Sequence, residues 1–167
     1  KLTYGTEIYT DEQSGTRNGA ERPQFPDAEV DYRAGFVQAE VPLPGGLSLI
    51  PGVRFDAFDY SAAGEFPSRD EDELSPRIAL GWQPVEAIYI WGEYAEAFRA
   101  PSLTELFVDG VHFTTPLGPG QVVINEFVPT PNLKPEESEQ FQVGARFRQR
   151  DLFDSGLDFE LDAVWHT

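Results

Sequence analysis

Cysteine is absent from the 167 residues, which excludes a disulfide framework, a zinc–cysteine centre and a thiol nucleophile. That absence permits an oxidising compartment without requiring one. Basic residues are scarce: 12 Lys and Arg stand against 29 Asp and Glu, a formal charge of −17. Nucleic acid, whose phosphates need cationic partners, is therefore not an expected ligand. Runs of 18 apolar residues are missing, so no transmembrane helix is expected. A basic, apolar, small-residue leader is not expected in this chain either. Nucleophile-elbow, P-loop, HExxH and dinucleotide fingerprints are also missing. The carboxylate pairs Glu93/Glu96 and Asp158/Glu160 read as polar wall positions, and an enzyme is not expected.

Turn formers are plentiful, with 15 Gly and 14 Pro, as in an all-β architecture. Period-2 alternation is the strongest signal along the chain. In PRIALGWQP, Ile78, Leu80 and Trp82 share one face and Ala79, Gly81 and Gln83 the other. EQFQVGARFR sets Phe141, Val143, Ala145 and Phe147 against Gln140, Gln142, Gly144, Arg146 and Arg148. LDFELDAVW and LSLIPGVRFDAF repeat the pattern, while AGFVQAEVP and AIYIWGEYAEAF carry it more weakly. With the opening KLTYGTEIYT, about seven antiparallel strands of roughly 7–12 residues are predicted.

Connections alternate in length. PLPGG, QPVEA and DLFDSG are short, whereas 11–33, 61–75 and 99–137 are long. Tight turns on one side and long loops on the other are the habit of outer-membrane barrels. Tyr4, Tyr60, Trp82, Tyr89, Trp91 and Trp165 lie near strand ends, where an interfacial girdle would place them. A soluble β-sandwich binding module shows the same alternation and is the alternative from another class. Seven strands cannot close a single-chain barrel, which uses an even count. Because the chain opens and ends in strand-like sequence, it is expected to be a piece of something longer. The acidic run RDEDE (69–73) reads as a solvated loop tip, with a weak Ca²⁺ site as the sharper option.

The segment 99–137 is too long and too rich in apolar residues to be an idle connection. Phe98, Leu103, Leu106, Phe107, Phe113, Val122, Val123, Ile124, Phe127 and Val128 are expected to pack, and PLGPG at 116–120 to bend. It is framed by two boxes, Phe98-Arg99-Ala100-Pro101 and Pro131-Asn132-Leu133-Lys134-Pro135-Glu136. WGEYAEAFRAPSLTELF followed by PNLKPEESEQFQVGARFR resembles the C-terminal barrel of TonB-dependent outer-membrane receptors. A histidine between a FRAP box and a PNPNL-like box resembles the heme and hemoglobin receptors within that group. The sequence departs from that box at Thr130, where Asn is usual, although Thr also hydrogen-bonds locally in turns.

The resemblance implies that 1–167 is part of a roughly 22-stranded transmembrane barrel. The plug and TonB box lie outside this chain, and 99–137 is the ligand-binding loop. It implies uptake of heme, free or from a carrier protein such as hemoglobin, across a Gram-negative outer membrane, with TonB and lipid as partners and heme as transported ligand rather than catalytic cofactor. By the same resemblance His112, in GVHF, is the candidate axial ligand to heme iron. A neutral imidazole suits that role, and Phe113 and Phe107 could face the porphyrin. Tyr94 is an optional helper, and His166 is expected on the polar wall. Arg99 is expected to pair with Glu105 or Glu136, Pro101 to end strand pairing, and Asn132 and Pro135 to shape the return turn. A receptor for ferric siderophore or another nutrient, with His112 incidental, is the competing function.

Overall fold

A computed structural model describes residues 1–151 and 156–167. The long strands are β1 (Leu2–Gln13), β4 (Ala28–Ala39), β6 (Leu47–Ala62), β7 (Arg69–Val85), β8 (Ile88–Arg99), β11 (Glu136–Gln149) and β12 (Phe159–His166). Short β2 (Thr16–Arg17) and β3 (Ala20–Glu21) form a small hairpin, and β5 (Val41–Leu43) pairs with β6. The segment after β8 holds a helix, α1 (Leu103–Phe107), and a second hairpin, β9 (Gly110–Gly118) with β10 (Gln121–Phe127). The main sheet runs β1-β4-β6-β7-β8-β11-β12, each neighbour antiparallel. It is the expected meander of seven strands. No second sheet packs face to face on it among the described residues, so the sandwich alternative has no structural support.

Register sorts side chains into two faces. On one, Val53, Phe55, Leu74, Ile78, Leu80, Trp82, Ile90, Phe141 and Val143 are exposed and apolar. On the other, Arg77 pairs with Glu93, Arg146 with Asp162 at 2.7 Å, and Arg148 with Glu160. The sheet thus has one exposed apolar face and one face of paired charges. His166 lies on the polar face, opposite Gln142, as expected.

The aromatic girdle needs three corrections. Tyr4, Trp82 and Trp165 stand on the apolar face as a girdle requires. Trp91 instead lies on the polar face between Gly81 and Gly144, and Tyr89 reaches over Gly81 from the same side. A Cβ on Gly144 would come within 2.5 Å of the Trp91 ring, so the indole fills the gap that the glycine leaves. Tyr60 is buried, at 3% exposure, beneath the long loop.

Tight and long connections alternate as the sequence predicts. Leu43 to Leu47 and Val85 to Ile88 turn at one end of the sheet. Gly46, at φ +77°, has its Cα hydrogens facing the Gln83 carbonyl, where a Cβ would sit 2.3 Å away. The third expected turn, DLFDSG at 151–156, has its centre, 152–155, outside the described residues. At the opposite end the long loops are shorter than expected, because strand pairing continues into them. β6 and β7 are 16 and 17 residues, paired as far as Tyr60 with Arg69, whereas about 9–11 residues cross a bilayer. RDEDE is therefore strand, not a loop tip. Alternation turns Asp70 and Asp72 away from Arg69, Glu71 and Glu73, and Arg69 binds Glu71. Carboxylates split between two faces cannot converge on a Ca²⁺ ion.

The buried core sits at this loop end, on the polar side of the sheet. Ala28, Val30, Tyr32 and Ala34 of β4 and Phe58 and Tyr60 of β6 receive Leu103, Leu106 and Phe107 of α1. Next to it Asp56, at 1% exposure, accepts hydrogen bonds from the Tyr32 hydroxyl and the Arg54 guanidinium, which also binds Glu7 at 2.9 Å. A buried carboxylate is tolerable only when paired in this way.

Candidate functional site

The long loop leaves β8 through the FRAP box, each residue of which has a structural partner. The Phe98 ring meets Phe58 edge-on at 5.7 Å, and Ala100 packs against the core. Arg99, paired in register with Glu136, donates to that carboxylate at 2.9 and 3.1 Å and to Glu105 at 3.0 Å. It therefore ties both ends of the loop to its helix, engaging both candidate carboxylates at once. The Pro101 carbonyl accepts from the Tyr60 hydroxyl at 3.1 Å, and β8 has already ended at Arg99.

Ser102 then caps α1. Its hydroxyl accepts from the Glu105 amide, while the Glu105 carboxylate accepts from the Ser102 amide at 2.9 Å, a capping box. Arg99 and these Ser102 donors pull the Glu105 carboxyl down to about 2. Leu103, Leu106 and Phe107 are thereby presented to the core. Phe107, at 1% exposure, cannot face a ligand, which corrects the expectation that it lies along a porphyrin.

After α1 the chain rises into the β9–β10 hairpin, turned by Pro119 and by Gly120 at φ +75°. Its base is pinned by Gln24 of the β1–β4 connection, whose side-chain amide donates to the Val111 carbonyl at 2.6 Å and whose backbone carbonyl accepts from the Asp109 amide. Val122, Val123, Ile124 and Val128 are exposed, so the expected anchors divide. Those on α1 pack, Phe127 is half-covered against Phe25, and the others on the hairpin project. His112 sits on β9, exposed, with Nδ1 3.3 Å from Asn125 Oδ1 and its ring 4.6 Å from Phe127 and 5.2 Å from Phe113.

The return box is fastened in turn. Thr130, the departing position, bonds locally, its hydroxyl donating to the Val128 carbonyl at 3.4 Å and its carbonyl accepting from the Leu133 amide at 2.9 Å, while its amide donates to the Glu105 carbonyl of α1. The Pro131 carbonyl accepts from Arg69 Nη1 at 3.0 Å, and Leu133 packs on the core. Asn132 is exposed in the turn before β11. The boxes thus hold the loop's feet, and the hairpin between them carries His112. Tyr94 lies on the apolar sheet face opposite Ile78 and Phe141 and hydrogen-bonds Glu96, so it is not brought to His112. Glu93 and Glu96 face opposite sides of β8, which corrects their joint placement on the polar wall.

Asn125 as the partner of His112, and Gln24, Tyr60 and Arg69 as partners of this loop, are not legible in the sequence. The alternation of QVVINEF after a GPG turn is the one signal that could have announced the hairpin.

A family model described as TonB dependent receptor-like, beta-barrel matches residues 1–167. The chain belongs to that family. Receptors and transporters of the bacterial outer membrane make up the family, which is not an enzyme class. A hemin receptor of Yersinia pestis is 36% identical over 163 residues, covering 96% of this chain and 24% of the receptor. Heme/hemopexin utilization protein C of Haemophilus influenzae (strain 86-028NP) is 33% identical over 159 residues, 95% of this chain and 22% of that protein. The chain thus spans about a quarter of the length of these relatives. A Serratia marcescens hemophore receptor HasR, solved as a double mutant with its hemophore HasA and heme, shares the fold. The TM-score is 0.71 at 21% identity, over 99% of this chain and 29% of that one.

Proposed function

We propose that this chain is part of an outer-membrane TonB-dependent receptor that takes up heme, with His112 as the iron contact of its extracellular loop. The observation that carries the reading is the exposed His112, raised on a hairpin whose two feet are bonded to the barrel wall. An imidazole presented this way, beside the exposed Phe113 and the partly covered Phe127, offers both an iron ligand and apolar surface for a macrocycle. Relatives named as hemin and heme/hemopexin proteins, matched over nearly the whole chain, support heme as cargo over a siderophore. A heme-carrying protein is a further partner of the same loops. TonB, acting through a plug region outside this chain, would drive release inward. The polar face of the sheet would line the lumen, with lipid against the apolar face.

The test is optical titration of the full-length receptor with hemin. Wild type is expected to give a low-spin Soret shift, weakened in His112→Ala. An unchanged spectrum in that variant removes His112 as ligand. Saturable ferric-siderophore binding without heme binding would favour the siderophore reading instead.

A further inference from the structure

We infer that Asn125 is the positioning residue for His112, fixing its ring so that Nε2 is the nitrogen offered to iron; this rests on the heme reading above. Three observations converge on it. In the hairpin register Val111 faces Glu126 and Phe113 faces Asn125, so His112 is the extra residue of a β-bulge. Bulges re-aim a side chain and are frequent beside functional sites. Second, the Asn125 side-chain carbonyl stands 3.3 Å from His112 Nδ1. A carbonyl oxygen only accepts, so Nδ1 carries the proton and Nε2 keeps its lone pair. Third, the ring rests on Phe127 at 4.6 Å, and Phe127 in turn meets Phe25 of the β1–β4 connection at 6.3 Å. The imidazole is thus supported on one face and oriented on one edge, leaving Nε2 as its free donor atom. Iron-bound imidazoles commonly donate their other N–H to such an acceptor, which raises their basicity as ligands.

Hemin titration and redox potentiometry of the full-length receptor test this with three variants. Asn125→Leu is expected to weaken hemin binding by about 10–100-fold and to raise the midpoint potential of the bound iron. Asn125→Asp keeps an acceptor, so affinity is retained while the potential falls below wild type. In a His112→Ala background, Asn125→Leu is expected to change hemin affinity by no more than about twofold, since its effect passes through the imidazole. An equal loss in both backgrounds would make Asn125 a hairpin residue only and overturn the assignment. So would wild-type affinity and potential in Asn125→Leu while His112→Ala still loses the low-spin spectrum. If His112→Ala itself leaves that spectrum intact, the heme-ligand reading has failed first and the role of Asn125 falls with it.

Discussion

Arg99 grips Glu105 with both ends of its guanidinium, Nη1 to Oε2 and Nη2 to Oε1, each at 3.0 Å. The same arginine binds Glu136 across the strand pair, so one side chain joins the exit of β8, the cap of α1 and the start of β11. These contacts hold the Glu105 carboxyl at about 2 and lower Glu136 as well. A carboxyl whose folded value is depressed contributes stability that is complete above its unfolded value and lost as pH falls through the folded one. The fastening of the loop should therefore weaken between about pH 4.5 and 2. Protection of the α1 amides against hydrogen exchange in the full-length receptor, taken relative to the intrinsic exchange rate at each pH, should fall as pH drops through that window, and Glu105→Gln should flatten the dependence. Protection factors that stay constant there, with Glu105 intact, would remove the ionic latch.

Tyr60→Phe separates the hydroxyl from the ring. The ring stays in the core, but the Pro101 carbonyl loses its buried donor. The expected cost is about 1–2 kcal/mol, or roughly a five- to thirtyfold larger population of the open loop. Limited proteolysis between residues 99 and 137 reads it directly, and cleavage at the wild-type rate would argue that water replaces the bond.

Phe107 and Phe113 should respond oppositely although both are loop phenylalanines. Phe107→Ala empties a fully buried site and should cost about 3–5 kcal/mol of loop docking. It should therefore weaken hemin binding without touching the ligand. Phe113→Ala, on the exposed hairpin, should leave proteolytic resistance unchanged while reducing hemin affinity. A Phe107→Ala protein with normal loop protection would show that α1 is not what seats the loop.

On the barrel wall, Gly144→Ala should lower thermal stability by about 1–3 kcal/mol, because its Cβ would press on the Trp91 ring at 2.5 Å. Combining it with Trp91→Ala should recover part of the loss. Heat-modifiable gel mobility of the full-length protein measures both. Strictly additive losses would mean that the contact is not the cause.

Much of this was readable beforehand. Period-2 alternation in PRIALGWQP, EQFQVGARFR and LDFELDAVW determines strands and divides their residues between two faces, because successive side chains must point opposite ways. Short and long connections likewise place turns and loops at opposite ends of the sheet, and the two boxes mark the loop that carries His112. Tertiary structure alone decided which aromatic belonged to which face. Trp91 and Tyr89 sit where partner strands offer Gly81 and Gly144, a fact of register that no single strand carries. RDEDE became strand because the β6–β7 ladder continued through it, and Phe107 and Tyr60 became core because α1 folds back onto β4 and β6. The bulge that sets His112 against Asn125 belongs to the same class. Alternation is a property of one chain segment, whereas register, bulges and loop docking arise only when distant segments meet.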